Sequence, residues 1–391
     1  MSYKRKVTVF GSTGSIGQNT VDLLINNKEL YEVVGITGGR NLTKLAEQAR
    51  LLNPQIVATA FEGEYFSLKE LLSDTNIRIV AGVQGLREVS DIHADVFVSA
   101  IIGFEGLEPS LWSLKHGCVL ALANKESLVA AGPLLMKQAE AFGSKIIPVD
   151  SEHSGIFQIL EGREILDVEK IIITASGGPF RGWTYDELRS VTPKQASTHP
   201  TWNMGLRISI DSASMFNKAM ELIETKEYFK ISADKLEVLT HPESRVHSMV
   251  GFNDGSLFAH MSENDMRHCI GFALAWPNHF LSSVNRLDLS DIGSLNFEKV
   301  SEELSPALTI AREVMNYGGL MGVAFNAAKE ISLDRFIFGE IGFLDMSSVV
   351  RGTLSVLEGK ENILKMDHVL ENIIEVNRAS REIASNLMIN I

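Results

Sequence analysis

The sequence predicts an α/β protein in which a doubly wound N-terminal domain is followed by an α+β domain and a C-terminal helical bundle. At 391 residues the chain is longer than a single hydrophobic core usually supports. Short β-branched runs alternate with helical patterns over the first 150 residues, and strand-like runs become scarce after about residue 306. We therefore expect domains at 1–150, 151–276 and 306–391, with a linker at 277–305.

Six strand-like runs build the predicted parallel sheet: KVTVF (6–10), YEVVGIT (31–37), QIVAT (55–59), VFVSAI (96–101), VLALA (119–123) and KIIPVD (145–150). Apolar residues recur at helical spacing between them, at 19–26 and 42–52. In the second domain the strand-like runs are IIITA (171–175), LRISI (206–210), LEVLT (236–240) and RVHSMVGF (245–252). The change of pattern after residue 150 predicts a change of architecture.

Composition narrows the class of protein. Hydrophobic residues make up 45% of the chain and charged residues 22%, the balance of a folded globular protein. The formal net charge of −13 argues against a nucleic-acid partner, because phosphate binding needs clustered Lys and Arg. No apolar run has membrane-spanning length, and MSYKRKVTVF passes directly into a strand without a signal-peptide core. We expect no membrane partner, a cytoplasmic location, and small buried thiols at Cys118 and Cys269.

A glycine-spaced loop, GSTGSIG (11–17), lies between the first predicted strand and the first predicted helix. Glycines at 11, 14 and 17 permit a tight turn and a close backbone approach, and the helix N-terminus offers free N–H groups to a pyrophosphate. Strand, loop and helix in this order predict a Rossmann-type dinucleotide-binding domain. A purely structural glycine turn is the alternative.

The end of the second strand bears on which dinucleotide binds. Enzymes that prefer NAD usually carry Asp or Glu here, because a carboxylate hydrogen-bonds the ribose 2′-OH. This strand runs instead into Gly38, Gly39, Arg40 and Asn41. An Arg in this place can pair with a 2′-phosphate, so the sequence favours NADPH.

Three acidic residues are candidate metal ligands. Asp150 and Glu152 follow the last predicted strand, and in an extended segment they would point the same way. Glu221 shares a predicted helix face with Asn217. Oxygen-only ligation suits Mg²⁺ or Mn²⁺. The alternatives are a chance D-x-E pair and a solvated helix face.

Donors suited to a phosphate lie near these acids in the sequence: Ser176 before Gly177 and Gly178, then Ser212, Asn217 and Lys218. Singly, an ordinary turn and a surface lysine explain them equally well. The loop THPTWNMG (198–205) suits a lid over a substrate or a hydrophobic anchor. ANKES (123–127) follows a strand, which brings Lys125 to the edge where ligands bind in such sheets.

Eight motifs together resemble the 1-deoxy-D-xylulose 5-phosphate reductoisomerase family. They are GSTGSIG, LANKESLV, PVDSEHS, ITASGGPF, HPTWNMG, IDSASMFNKAMELIE, HPESRVHSMV and AWP, in the same order along essentially the whole chain. The resemblance implies NADPH-dependent conversion of 1-deoxy-D-xylulose 5-phosphate to 2-C-methyl-D-erythritol 4-phosphate in the non-mevalonate route to isoprenoids. It also implies a divalent metal, Mg²⁺ or Mn²⁺, a phosphorylated sugar as substrate and a homodimer.

The resemblance also implies roles for individual residues. Asp150, Glu152 and Glu221 match the metal ligands. The substrate-binding positions are Lys125, Ser151, Glu152, Ser176, His199, Ser212, Asn217, Lys218 and Glu221, of which Lys125, His199 and the three metal ligands are expected to be catalytic. The NADPH-binding positions are Thr13, Gly14, Ser15, Ile16, Gly39, Arg40, Asn41, Asn124, Glu126 and Gly205, and Trp202 and Met204 fall on the flexible loop.

Some positions depart from the family pattern. The C-terminal bundle usually reads NAANEVAV, whereas this chain has NAAKEISL (326–333), which places Lys329 and Glu330 in an otherwise apolar stretch. Gly155 replaces the usual Ala, and Thr225-Lys226-Glu227 replaces an apolar continuation. None of these positions is a proposed ligand.

Two other functions compete with the one that the resemblance implies. A plain NADP-dependent dehydrogenase of the semialdehyde type would need no divalent metal, and a non-catalytic dinucleotide sensor would tolerate neutralisation of the three acids. Within the main hypothesis, bond cleavage with recombination and direct migration both remain open.

Overall fold

A computed structural model of the protein describes residues 3–202, 204–279, 284–301 and 304–388. These residues form two compact units. The first comprises Met1–Ser127, Leu135–Ser154 and Asp265–Val284, and the second comprises Leu128–Leu134, Gly155–Asn264 and Asn285–Ile391, apart from the residues outside the described ranges. Chain connections between the units therefore fall inside helices as well as loops. The four-part division at residues 150, 276 and 305 stays a prediction.

The strands number twelve among the described residues. They are Arg5–Phe10 (β1), Tyr31–Gly38 (β2), Ile56–Thr59 (β3), Arg78–Ala81 (β4), Val96–Ser99 (β5), Val119–Leu122 (β6), Lys145–Pro148 (β7), Val168–Ala175 (β8), Leu236–Thr240 (β9), Val246–Phe252 (β10), Leu257–Met261 (β11) and Glu298–Lys299 (β12).

The α-helices of the described chain are numbered in the same way. They are Ser15–Ile25 (α1), Leu42–Leu52 (α2), Tyr65–Leu71 (α3), Gly82–Ser90 (α4), Leu107–Ser113 (α5), Lys125–Phe142 (α6), Ser151–Leu160 (α7), Tyr185–Leu188 (α8), Pro193–Ala196 (α9), Leu206–Ala213 (α10), Phe216–Phe229 (α11), Arg267–Ala275 (α12), Leu289–Ile292 (α13), Pro306–Tyr317 (α14), Met321–Ile337 (α15), Asp345–Glu358 (α16), Glu361–Leu364 (α17) and Leu370–Asn386 (α18).

The first unit is built on a seven-stranded sheet in the order β4-β3-β2-β1-β5-β6-β7. Every neighbouring pair is parallel. Its central strands are buried on both faces, which explains why they read as continuous hydrophobic runs. The strand order reverses between β1 and β5, and ligands bind in such folds outside the carboxyl ends of the strands at this reversal. The predicted Rossmann-type fold is confirmed.

The second unit combines a five-stranded mixed sheet, in the order β11-β10-β8-β9-β12, with the helices from α14 to α18. Strands β8 and β9 are parallel, while β10 pairs antiparallel with β8 and with β11. Helix α11 contacts this bundle through Phe216, whose ring lies 6.1 Å from that of Phe325 on α15. The expected α+β architecture and C-terminal helical bundle are therefore present.

Several local predictions were wrong. The run LRISI (206–210) forms the start of α10 rather than a strand, and its buried residues Ser209, Ile210 and Asp211 are consecutive rather than alternating. Strands β4, β11 and β12 were missed. The segment 277–305, expected to be a linker, contains α13 and β12 where it is described.

Two further features answer questions raised by the sequence. Lys329 and Glu330 are both buried within α15, and each pairs with an opposite charge of its own unit: Lys329 with Asp211, and Glu330 with Arg381. Cys118 and Cys269 are buried free thiols, as expected. None of the helices in the described ranges is long and apolar enough to cross a membrane.

Candidate active site

The glycine loop leads from β1 into α1 at the predicted place. Gly11 has φ +80°, and a Cβ there would lie 2.6 Å from the carbonyl oxygen of Ala100. A Cβ on Gly17 would lie 2.2 Å from the carbonyl oxygen of Gly11. Glycine is therefore required at both positions, because backbone atoms leave no space for a side chain at either one. Gly14, by contrast, would place its Cβ in ordinary contact, 3.5 Å from that same oxygen.

The loop is anchored to the neighbouring strand β2, because the Gly11 and Ser12 N–H groups both donate to Thr37. The Ser12 hydroxyl donates to Gln48 over 2.7 Å, and the Gln48 amide donates back to the Ser12 carbonyl over 2.9 Å. Gly14 is the N-cap of α1, and no side chain within the described part of the chain caps this helix. The first turn, with Ser15 and Ile16, thus leaves donors and a positive dipole end for an anion.

Arg40 lies just beyond β2, as the sequence predicted. Its guanidinium stacks on Phe61, 4.0 Å from the ring centroid, and its Nη1 lies 3.6 Å from Oε1 of Glu64. The side chain is 70% exposed. An exposed ion pair of this kind contributes only about 0–1 kcal/mol, so a phosphate can displace Glu64 as its partner. Its neighbour Asn41 caps α2 by accepting from the Lys44 N–H.

Asn124, Lys125 and Glu126 lie where β6 passes into α6. The Asn124 side chain is buried and fully engaged: its Oδ1 accepts from the Ser127 N–H, and its Nδ2 donates to the carbonyls of Ile101 and Gly103. Any contact of Asn124 with a dinucleotide would therefore come from its backbone. Lys125 is the next residue, in the first turn of α6.

Asp150 is held in the ionised state by two neighbours. Lys125 Nζ lies 2.9 Å from its Oδ2, and His153 Nδ1 lies 3.1 Å from its Oδ1. Burial alone raises the pKa of the Asp150 carboxyl, but the Lys125 charge and the His153 hydrogen bond outweigh it, and the pKa lies well below its usual range. A carboxylate that stays ionised near neutral pH is ready to ligate a cation.

Glu152 reaches its position differently from the prediction. Strand β7 ends at Pro148, and Ser151 and Glu152 form the first turn of α7. The extended D-x-E arrangement is therefore wrong, although both residues still follow the carboxyl end of β7. His153, with a side chain fully buried beside Asp150, was missed by the sequence reasoning. Its position three residues after Asp150, at the start of a helix, was the available signal.

In the second unit Ser176 and His199 are joined directly. Ser176 Oγ lies 3.0 Å from His199 Nε2 and also accepts from the Gly178 N–H over 3.1 Å. His199 Nδ1 accepts from the backbone N–H groups of Thr201 and Trp202. Because Nδ1 is an acceptor, we assign the ring proton to Nε2, which donates to Ser176. The Ser176 hydroxyl hydrogen can then point to a ligand oxygen.

Burial lowers the pKa of His199, and the nearby Lys218 ammonium lowers it further. The imidazole is therefore neutral at physiological pH. Lys218 itself is only 5% exposed, and its Nζ lies 2.6 Å from Oε2 of Glu221. Asn217 Nδ2 donates to Oε1 of the same carboxylate. The alternatives of a solvated helix face and an ordinary surface lysine are wrong.

Ser212 lies in the last turn of α10, close to Gly178 in the loop that follows β8. Gly178 has φ +64°, and a Cβ there would lie 3.2 Å from Cα of Ala213 and 3.5 Å from the Ser212 carbonyl. The loop after β8 therefore packs tightly on the last turn of α10. The backbone at Ser212 therefore lies beside the loop that follows Ser176, whose hydroxyl contacts His199, and the charge of Lys218 acts on His199.

The loop before α10 carries the remaining predicted residues. The Trp202 ring lies 6.1 Å from the ring of His247. Met204 is half-buried, and Gly205 is the N-cap of α10, with open space around its Cα. Asn203, in the middle of the HPTWNMG motif, lies outside the described residues. Whether this loop acts as a lid stays a prediction.

These features define a class of enzyme. One unit presents a dinucleotide loop with an Arg suited to a 2′-phosphate and an ionised carboxylate, and the other presents a phosphate-type donor cluster beside a buried carboxylate. The class is an NADP-dependent oxidoreductase that acts on a phosphorylated substrate.

The chain belongs to the 1-deoxy-D-xylulose 5-phosphate reductoisomerase family. Three family models match it: 1-deoxy-D-xylulose 5-phosphate reductoisomerase over residues 7–132, the reductoisomerase C-terminal domain over 146–229, and the DXP reductoisomerase C-terminal domain over 261–383. A curated relative of that name from Jannaschia sp. is 51% identical over 98% of this chain and 97% of its own length. Another, from Rhizobium meliloti, is 45% identical over 97% of both chains.

Solved structures agree with this assignment. The reductoisomerase from Zymomonas mobilis, solved in complex with NADPH, is 40% identical and covers 98% of both chains with a TM-score of 0.90. A DOX-P reductoisomerase in complex with NADPH, fosmidomycin and magnesium is 34% identical over 97% of both chains, with a TM-score of 0.92. This chain is therefore an NADP-dependent oxidoreductase that carries out the reductive isomerisation of 1-deoxy-D-xylulose 5-phosphate.

Proposed function

We propose that the predicted residues carry this reaction in the roles that the family resemblance assigns to them. The reaction is the NADPH- and divalent-metal-dependent conversion of 1-deoxy-D-xylulose 5-phosphate to 2-C-methyl-D-erythritol 4-phosphate, in the non-mevalonate route to isoprenoid precursors. The observation that carries the assignment is the buried Lys218–Glu221 pair beside the Ser176–His199 hydrogen bond. A cation suited to a phosphate and a carboxylate suited to a metal are thus three residues apart on one helix, which supports the assignment.

NADPH is the cofactor, and its pyrophosphate is assigned to the loop from Gly11 to Gly17. Support comes from the N-terminus of α1, where Gly14 is the N-cap, Thr13, Ser15 and Ile16 adjoin it, and no described side chain caps the helix. We assign the 2′-phosphate to Arg40, with Gly39 and Asn41 beside it. Asn124, Glu126 and Gly205 complete the assigned cofactor positions. NADPH supplies the hydride for the reduction.

Asp150, Glu152 and Glu221 are assigned to a divalent metal, Mg²⁺ or Mn²⁺. The donor set fits, because it consists of carboxylate oxygens, one of them ionised by its neighbours and one buried against a lysine. When bound, the metal supplies electrophilic polarisation of the substrate oxygens. Asp150 carries its charge near neutral pH, so it ligates a cation without first losing a proton.

The other side chains bind and orient the substrate. Ser176, Ser212 and Lys218 are assigned to the phosphate, with Ser151 and Asn217 as further substrate contacts. His199 is neutral and donates from Nε2 to Ser176, so the Ser176 hydroxyl hydrogen can be donated to a phosphate oxygen. Lys125 lies against Asp150 and is assigned to the substrate end near the metal. Phosphate binding away from the reacting carbons provides binding energy that the chemical step can use.

One comparison of variants tests the metal assignment. Wild-type protein is assayed for NADPH oxidation with 1-deoxy-D-xylulose 5-phosphate and Mg²⁺ or Mn²⁺, before and after EDTA treatment. We expect turnover that EDTA abolishes and either metal restores. Glu221→Gln should lose kcat/KM on the order of a hundredfold or more, with NADPH affinity unchanged. The matched control is Glu237→Gln, a half-exposed carboxylate of the same unit paired with Lys170 at 3.4 Å, which should keep wild-type activity.

The alternative functions give opposite results in this assay. Metal-independent turnover would indicate a plain dehydrogenase, and NADPH binding without turnover with either metal would indicate a sensor. An active Glu221→Gln variant would remove Glu221 from the metal site while leaving the reaction itself intact.

We also infer a homodimer in the cytoplasm. The dimer is supported by β11, an edge strand whose Leu257 and Phe258 are 55% and 43% exposed. An exposed apolar edge strand favours pairing with a second copy of the same strand. The cytoplasmic location is supported by the free thiols of Cys118 and Cys269, which suit a reducing compartment.

A further inference from the structure

The helix that carries Ser212 is tied to the C-terminal bundle by charged side chains. Asp211 on α10 and Lys329 on α15 form an ion pair with 3.0 Å between Oδ2 and Nζ, and the two side chains are 8% and 3% exposed. One turn earlier on α10, Arg207 pairs with Asp334 of the same bundle helix. Two ion pairs therefore join α10 to α15, and one of them is withdrawn from water.

The buried pair depends on both partners. The second oxygen of Asp211, Oδ1, is buried and has no hydrogen-bond partner among the described residues. The Asp211 charge is thus compensated mainly from one direction, by Lys329. Buried ion pairs add little net stability compared with well-packed apolar residues, because both charges lose their hydration. What such a pair provides is a defined position for the elements that carry it.

The position of α10 matters because phosphate donors come directly after Asp211 in the chain. Ser212 is the next residue, and the glycine loop after Ser176 packs on the same turn. Three residues after Ser212, Met215 is buried with φ +62°, a left-handed conformation that is costly for a residue with a side chain. This rigid turn leads directly into α11, which carries Asn217 and Lys218. A shift of α10 would therefore move donors on both sides of the turn.

We propose that the Asp211–Lys329 ion pair is a positioning pair that holds Ser212 and the turn into α11 in register for the phosphate group of the substrate. The inference rests on the proposed function, because it takes Ser212 and Lys218 as phosphate contacts. Neither Asp211 nor Lys329 touches the substrate. Their effect is on phosphate affinity and on the binding energy that reaches the chemical step.

The experiment separates positioning from folding by replacing the whole pair. Asp211→Leu/Lys329→Met exchanges both charges for apolar side chains of similar size, so neither member of this pair is left charged without the other. We expect its Tm to stay within a few degrees of wild type. Its KM for 1-deoxy-D-xylulose 5-phosphate and its Kd for inorganic phosphate should both rise about tenfold or more, because small misplacements of binding groups are costly. NADPH affinity should not change.

Two further variants keep the test decisive. Lys329→Arg preserves the charge and should retain phosphate affinity within about threefold. Asp211→Asn/Lys329→Gln removes both charges with polar side chains and serves if the apolar double variant does not fold. As a control, Arg351→Met removes a half-exposed ion pair with Glu313 in the same unit and should leave every readout unchanged. A folded variant that lacks the charges but binds phosphate and substrate as wild type does would overturn the inference.

A direct measurement of phosphate binding separates the positioning role of the ion pair from the assignment of Ser212 and Lys218 to the substrate phosphate. Binding of inorganic phosphate is measured from the rise in Tm that it causes, so this measurement does not depend on turnover. If Ser212→Ala weakens phosphate binding and the double variant does not, the positioning role fails and the phosphate site stands. If the wild-type protein does not bind phosphate, or Ser212→Ala binds it as wild type does, the phosphate site and the positioning role fail together.

Discussion

His199 shows how the surroundings of one side chain set both its charge and its tautomer. Two backbone N–H groups donate to Nδ1, so the ring proton belongs on Nε2, facing Ser176. Burial and the Lys218 ammonium both disfavour the imidazolium, which lowers the pKa of His199. The ring therefore acts as a neutral donor, and a positive charge on it would break two backbone contacts at once.

The pH dependence of stability follows from this shift. The folded state resists protonation of His199, whereas the unfolded chain takes up a proton near pH 6.5. The stabilising contribution of the neutral ring is therefore complete above about pH 6.5 and is lost as the pH falls below it. We expect the difference in unfolding free energy between wild type and His199→Gln to be constant from about pH 7 to 8.5 and to shrink below about pH 6.5.

Urea unfolding at a series of pH values measures this difference directly. Gln is a suitable replacement because it keeps a polar side chain that cannot be protonated. His93→Gln is the control, because this histidine is exposed and belongs to the other unit. A difference that grows as the pH falls would mean that His199 is stabilised as the cation, contrary to the neutral-donor role.

At the scale of elements, the sequence predicts some parts of the molecule well for a clear physical reason. The central strands of the parallel sheet are buried on both faces, so their apolar runs identify them within about two residues of the observed ends. Strand β4 was missed because it is short, half-buried and begins with an exposed Arg78. Run 206–210 alternates like a strand, yet it forms a helix.

The strand prediction for 206–210 was wrong because α10 makes contacts with residues that are distant in the sequence. Asp211 meets Lys329, 118 residues further on, and this contact is made from a buried helix face. The same limit applies to the candidate site. Residue types and spacing made Ser176, Lys218 and Glu221 candidates, but the burial that distinguishes Lys218 from a surface lysine comes from neighbouring elements that no local pattern contains.

The dinucleotide loop gives a sharp prediction for two of its glycines. Gly17→Ala would place a Cβ 2.2 Å from a backbone oxygen, so the turn itself must shift. We expect a loss of about 3 kcal/mol or more in unfolding free energy for the first unit, together with loss of NADPH binding. Gly14→Ala fits the same turn in ordinary contact, at φ −74°. It should keep the stability and lower only NADPH affinity, because the methyl group occupies the space that the pyrophosphate approaches.

Chemical denaturation and NADPH titration of the two variants separate these effects. Gly143→Ala provides a comparison for backbone strain alone, since Gly143 has φ +67° and open space around it. It should be destabilised modestly and bind NADPH normally. If Gly17→Ala were as stable as Gly14→Ala, the tight fold of the loop would not be a requirement of the structure.

At the scale of the whole molecule, the proposed roles fall on residues of two units with different architectures. The parallel sheet brings β1, β2, β6 and β7 to one edge, so the loop, Arg40, Lys125 and Asp150 all follow carboxyl ends of strands. In the proposed roles, the phosphate donors and Glu221 lie on helices α10 and α11 and on the loop after β8 of the second unit. The mixed sheet of this unit also leaves the antiparallel strand β11 at an edge, where it can pair with another strand.

The exposed residues of β11 predict how two copies associate. Leu257→Glu places a charge on this edge strand, and pairing of two such strands would bring like charges together. We expect wild-type protein to be a dimer by light scattering after size-exclusion chromatography, and Leu257→Glu to be a folded monomer at the same concentration. Leu289→Glu is the matched control, since Leu289 is 66% exposed on α13 of the same unit and should leave the dimer intact. A dimeric Leu257→Glu variant would move the interface away from β11, and a monomeric wild-type protein would remove the dimer itself.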